Sequence, residues 1–175
     1  MEYLDLYDEW RQPNGNKMPR GGYPPKGEYF TVVHLCLFNK AGQMLIQQRQ
    51  SDKREYPDLW DVTSGGAVQA GENSTQAAQR ELLEELGIRM DLTGQRPYLT
   101  VNFDGGFDDV FLVEGEAELE DLRLQPEEVK DARWATLEEI QAMRERGEFV
   151  PYYPSYIPTL FEMRRCMGFC EPAEE

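Results

Sequence analysis

The 23 residues from Gly66 to Ile88, GAVQAGENSTQAAQRELLEELGI, constrain this chain more than any other part of it. They predict a Gly-rich bend followed by a helix over 73–86. Asn73 stands as N-cap with Gln76 three residues on as a capping box, and Gly87 stands where a glycine closes a helix. Ala77, Ala78, Leu82 and Leu86 recur at helical spacing and predict the packed face. Glu81, Glu84 and Glu85 fall at i, i+3 and i+4, on one face and within about 6 Å Cβ to Cβ. Like charges at those spacings repel by about a few tenths of a kcal/mol per pair, so the arrangement calls for a cation. Carboxylates without a nearby His or Cys suit Mg²⁺ or Mn²⁺, and the glycines beforehand let backbone approach a ligand. Glu72 and Arg80 flank the cluster as an ion pair that tethers loop to helix. The bland reading of the same acids is a solvated helix face in an acidic protein.

Gly66, Glu72, Arg80, Glu81, Leu82, Glu84, Glu85, Gly87 and Ile88 match, at all nine positions, the pattern G-x5-E-x7-R-E-U-x-E-E-x-G-U with U aliphatic. This resembles the Nudix box, and seven fixed plus two aliphatic matches arise by chance on the order of 10⁻⁹ or less. The flanking segments GEYFTVVHLCLFNKAGQMLIQQR, YPDLWDVTSGGAVQAGE and DARWATLEEIQAMRERGEF look like the Nudix branch related to isopentenyl diphosphate isomerase. The resemblance implies an α+β fold, an α/β/α sandwich whose mixed sheet lies between helices, with the box as loop–helix–loop. It implies hydrolysis of a nucleoside diphosphate linked to another moiety, with Mg²⁺ or Mn²⁺. By the same likeness Glu81, Glu85 and Arg80 are catalytic candidates, and Gly66 (through its carbonyl), Glu81, Glu84 and Glu85 are metal ligands. Asp108 is an extra ligand candidate, because the isomerase branch carries metal-binding acids near there. The proton acceptor is Glu81 or Glu85, or a loop acid, since family members differ in their base.

The isomerase itself is the competing activity. That family carries a Cys and a His just after its Trp-containing strand, where this chain has Gly65 and Ala67, and its other metal His falls on Phe30. Moving a double bond needs a proton donor and an acceptor across the substrate, and these positions supply neither. A non-catalytic Nudix-like ligand-binding module is the alternative of a different class, but degenerate modules lose box acids and this box keeps all of them.

Charge then bounds the partners. Lys and Arg number 18 against 33 Asp and Glu, so the net charge is 18 − 33 = −15. Coating a nucleic acid or an anionic lipid surface needs a basic face, so both are disfavoured. A small-molecule diphosphate substrate needs something cationic in between. Arg49 at a strand end and Lys53 in the next loop are substrate-contact candidates beside their reading as exposed loop cations, and Glu72 is a further substrate-side candidate. Three sparse cysteines do not make a disulfide framework and read as reduced thiols in a cytoplasm. No apolar run approaches the ~18 residues of a membrane span, and the acidic start is unlike a signal peptide.

At 175 residues one domain is expected: an N-terminal strand and Gly/Pro-rich loop over 1–28, the body over 29–170, and an acidic tail over 171–175. A homodimer, with the N-terminal strand docked or exchanged, is a further expectation. Strands are expected over 1–10, 29–38, 43–49, 98–103, 107–115 and 131–135, and from Trp60 to Val68 with a break at Gly65-Gly66. Residues 12–28 read as a loop or hairpin tip. Thr136 with Glu139 caps a helix over 137–146, and a last helix covers 157–168. His34 reads as a buried, hydrogen-bonded histidine, Cys36 as a core thiol, and Cys166 and Cys170 as packing residues. Trp60, Tyr56 and Phe103 either stack on a base or pack, and Glu127 and Glu128 read as an exposed acidic turn.

Overall fold

Among the residues described by a computed structural model, 2–165, 168 and 170, seven strands form a mixed sheet flanked by three α-helices, an α+β fold, and two more strands form a separate pair. The chain divides into two units, residues 1–35 with 64–111 and residues 36–63 with 112–175. Among the described residues no helix is long and apolar enough to cross a membrane.

In the first unit, β1 (Tyr3–Tyr7) and β2 (Pro13–Pro19) form a separate antiparallel pair. Leu4, Leu6 and Met18 are buried with Phe30 and Ala67 packed against them. Residues 13–19 are therefore a strand, not part of a loop. Pro13 and Pro19 sit at its ends, where a missing amide is tolerated. The chain reverses earlier than the Asn14-Gly15 signal suggests, at Asp8, whose carboxylate accepts from the amides of Trp10 and Gln12 at 2.9 and 2.8 Å. Arg11 takes a positive φ of 60° to complete that turn.

Strand β3 (Phe30–Phe38) pairs through its first half with β6 (Ser64–Ala67), antiparallel, with His34 opposite Gly65 and Val33 opposite Gly66. On its other side lies β8 (Gly106–Glu114), which pairs antiparallel with β7 (Leu99–Phe103). Gly65 and Gly66 thus lie inside a strand instead of breaking one; the interruption after Trp60 falls at Val62 and Thr63. Helix α1 (Ser74–Leu86) packs on β6. Asn73 and Gln76 form the capping box, and Gly87 closes the helix in the left-handed conformation at φ 73°. Asp109 on β8 is buried and accepts hydrogen bonds from Arg11, from the Ser74 hydroxyl and, at 2.6 Å, from the Thr100 hydroxyl. One carboxylate therefore joins the hairpin turn, the first residue of α1 and β7.

In the second unit, β4 (Met44–Arg49) runs antiparallel to β9 (Val129–Ala135) on one side and to the end of β3 and then β5 (Trp60–Asp61) on the other. Helix α2 (Leu137–Glu145) starts from the Thr136–Glu139 capping box. Helix α3 (Tyr156–Met163) carries Pro158 in its first turn, where no amide is needed. It buries Ile157, Leu160 and Phe161, and Phe161 meets Phe38 edge-on with ring centroids 5.0 Å apart. This helix ends five residues short of the expected 168. Cys166 and the tail 171–175 lie outside the described residues.

Candidate active site

Helix α1 turns Ala77, Ala78, Leu82 and Leu86 inward, and with them Glu81 and Glu85, which are 4% and 5% exposed. Glu84 points outward, with its side chain about half exposed. The three acids are thus two buried carboxylates and one at the rim. Burying a carboxylate is unfavourable without compensation, and the compensation here is Arg80. Its Nε and Nη2 grip the two oxygens of Glu72 at 2.9 and 3.0 Å. Its Nη1 donates to Glu81 Oε1 at 2.8 Å and to Glu84 Oε2 at 3.1 Å, and Nη2 also donates to the Ala67 carbonyl at 3.1 Å. All five guanidinium N–H groups are used within the box, as only arginine's rigid fork allows. The cation that the glutamate spacing calls for is in part the chain's own.

Ionisation follows from these contacts. Burial on its own would loosen the Arg80 proton, but the hydrogen bonds to Glu72 and Glu81 outweigh it and hold Arg80 well above its usual range. Burial pushes the Glu81 carboxyl up against the opposing pull of Arg80. Arg20, at the end of the N-terminal hairpin, also acts on Glu81 electrostatically while paired with Glu2 at 2.7 Å. Nothing in the sequence near Arg20 marks it as a neighbour of the box; only the hairpin brings it there.

The glycines give the acids their room. A Cβ on Gly66 would collide with the Glu81 carboxylate. The Gly65 amide donates to Glu85 Oε2 at 3.3 Å, and a Cβ on Gly65 would lie 2.6 Å from Cδ2 of His34. A cysteine at 65, where the isomerase branch carries one, is therefore incompatible with this placement of His34. The histidine is half-buried, and its Nδ1 lies 2.8 Å from Asp108 Oδ2.

Glu72 has both oxygens on Arg80 and also accepts from the Gln69 amide at 3.1 Å. In the second unit, Arg49 pairs with Asp61 at 3.1 Å and donates to the Glu55 carbonyl at 3.1 Å, and Lys53 pairs with Glu128. Glu128 is thus engaged by a cation. Trp60 carries the Arg133 guanidinium over its ring at 5.0 Å, and Phe103 packs edge-on against Phe30 with centroids 5.6 Å apart. Among the described residues no group of three or more His, Cys, Asp or Glu side chains converges on a metal-sized space, because Arg80 stands between Glu81 and Glu84. The donor set nonetheless fits a hard divalent cation in its chemistry: two buried carboxylates, one at the rim, and a glycine strand with no side chain to fill the space beside Glu81.

A mixed sheet flanked by helices, with an Arg-braced glutamate helix following a glycine strand, is the frame that this chain shares with the Nudix hydrolases. The chain belongs to the Nudix family, whose NUDIX domain matches residues 28–156. An uncharacterized Nudix hydrolase of Listeria monocytogenes is 45% identical over 164 residues, covering 94% of this chain and 96% of its own. A crystal structure of a Deinococcus radiodurans protein superposes with a TM-score of 0.71 at 29% identity, covering 94% of this chain and 99% of that one. The isopentenyl-diphosphate Delta-isomerase of Pectobacterium atrosepticum is 36% identical over 98 residues, covering 56% of this chain and 52% of its own.

Proposed function

We propose that this Nudix hydrolase cleaves the diphosphate linkage of a nucleoside diphosphate joined to a sugar, nucleoside or phosphate, and does so with Mg²⁺ or Mn²⁺. The observation that carries the reading is the pair of buried carboxylates Glu81 and Glu85 beside side-chain-free Gly66. Glu81, Glu84, Glu85 and the Gly66 carbonyl would hold the cation, which when bound supplies positive charge against diphosphate oxygens and acidifies a water. Glu81 or Glu85 takes the proton of the attacking water on a carboxylate oxygen. Arg80, with every donor engaged, acts by holding Glu72, Glu81 and Glu84 in register.

Asp108 would join the cation's ligands through Oδ1, with Oδ2 kept on His34. Arg49 and Lys53 would contact substrate phosphates by exchanging Asp61 and Glu128 for them, and Glu72 would act from the loop it anchors. The catalytic body spans 29–170 with the N-terminal 1–28 as part of the same domain. A cytoplasmic setting, suggested by sparse cysteines, and a homodimer complete the reading.

The test is product release from a panel of nucleoside diphosphate derivatives with Mg²⁺, with Mn²⁺ and with chelator. Cleavage should require the metal. Glu85→Gln should lose at least ~10²-fold in kcat, as when one electrostatic stabiliser is removed. Arg49→Ala should mainly raise KM, because a phosphate's charge is held alike in ground and transition states. Unchanged kcat in Glu85→Gln overturns the assignment, and a silent panel favours a ligand-binding module.

A further inference from the structure

The only histidine of the sequence lies beside the site without belonging to the box, with one face of its ring against Gly65. Strand pairing sets His34 directly opposite Gly65. The ring lies against that glycine so closely that a Cβ there would be 2.6 Å from Cδ2 and 3.1 Å from Nε2. The amide of the same glycine donates to Glu85 Oε2 at 3.3 Å. On the other side of the ring, Nδ1 is 2.8 Å from Asp108 Oδ2. Asp108 is 9% exposed, and its Oδ1 is buried with no hydrogen-bond partner among the described residues.

We propose that His34 is a positioning residue for Glu85, acting through the Gly65 amide it supports, and that Asp108 fixes the ring for that task. The proposal rests on the reading of Glu85 as a metal ligand. A packing role alone would be better served by an apolar or hydroxyl side chain. The pair instead leaves a buried carboxylate oxygen unsatisfied, an arrangement that burdens stability unless it does something else. Asp108 accepts from Nδ1–H, which fixes the tautomer and the ring plane. The ring in turn limits how far β6 can shift toward β3 at Gly65. That limit matters because the Gly65–Glu85 bond is already long: a few tenths of an ångström more takes it out of hydrogen-bond range. Residues that orient a metal ligand from behind typically affect metal affinity by about 10–100-fold.

The experiment measures Mn²⁺ affinity of the full chain by electron paramagnetic resonance, with Mn²⁺ alone as the probe. The variants are His34→Ala, Glu85→Gln and the double variant, each with its thermal midpoint recorded. His34→Ala should weaken Mn²⁺ binding by at least ~10-fold, and should add nothing once Glu85 is already Gln, because a residue that acts only through Glu85 has no separate effect. A merely structural His34 would lower the midpoint and leave Mn²⁺ affinity at the parent's level. Should His34→Ala fail to fold, His34→Asn, which keeps a polar group toward Asp108 and removes the ring from Gly65, takes its place in the same cycle. If Glu85→Gln itself binds Mn²⁺ like the parent, the metal reading falls and the proposal falls with it. If Glu85→Gln weakens binding while the histidine change is silent or fully additive, the proposal alone falls.

Discussion

Two glycines in the first unit show how differently one missing side chain can matter. At Gly66 the space a Cβ would take is bounded by the Glu81 carboxylate, the end of a flexible side chain. At Gly106 it is bounded by the backbone of Phe30, which cannot rotate away. Gly66→Ala should therefore fold, with Glu81 turned out of place, and lose activity while its denaturation midpoint barely moves. Gly106→Ala has to push β8 away from β3, so overpacking of about 1–3 kcal/mol or more is expected. Urea titrations and kcat on the two variants check this, and a Gly66→Ala enzyme of parental activity would mean that the Glu81 position is unimportant. The box glycine is legible in the sequence because it belongs to a spaced pattern. The reason for it, the carboxylate of a residue on the following helix, is visible only in three dimensions.

Elements divide by how local their signals are. Helices α1 and α2 are readable because their capping boxes, Asn73 with Gln76 and Thr136 with Glu139, lie within four residues. Strand β2 is not readable, because its prolines and Asn14-Gly15 signal a turn locally while pairing with β1 decides otherwise. The box acids are likewise readable from spacing, whereas His34 and Asp108 are 74 residues apart and Arg11 and Asp109 are 98 apart. The second unit hides a similar junction. Asp61 on β5 takes Arg49 from the end of β4 and, at 2.6 Å, the hydroxyl of Tyr152. Burial first, and then the Asp61 charge, push the Tyr152 phenol well above its usual range. Tyrosine in the unfolded chain ionises near about pH 10, so above that pH the native state keeps a proton that the unfolded state has lost. Stability from this group is complete below about pH 10 and declines as pH rises through the native value. Tyr152→Phe should lose about 1.5–3 kcal/mol at neutral pH, a hydrogen bond to a charged acceptor, and show a shallower alkaline decline. Urea midpoints across the alkaline range check it, and parallel declines in parent and variant would remove Tyr152 as the cause.

For the molecule as a whole, the charge of −15 sets two salt effects against each other. Salt weakens exposed ion pairs such as Arg20–Glu2, Lys130–Asp58 and Arg146–Glu148, but each is worth only about 0–1 kcal/mol. Salt also screens the mutual repulsion of the acids that 18 bases leave unmatched, and these are spread over the entire chain. At about 0.1 M the screening length is ~10 Å, shorter than most of the distances over which those acids repel. Repulsion should win, so the urea midpoint should rise with NaCl. Divalent cation should then do something NaCl cannot. At matched ionic strength the screening is alike, and any additional stabilisation measures binding to the folded state, about 2.7 kcal/mol at a hundredfold excess over Kd. The excess should vanish in Glu81→Gln and Glu85→Gln, whose overall charge hardly differs from the parent's. In the metal-free protein Glu81→Gln should be the more stable chain at neutral pH, since it no longer holds a buried carboxylate whose burial favours the protonated form. A midpoint that falls with NaCl would mean that the ion pairs dominate. A Mg²⁺ increment that survives in both variants would place the cation elsewhere than on α1.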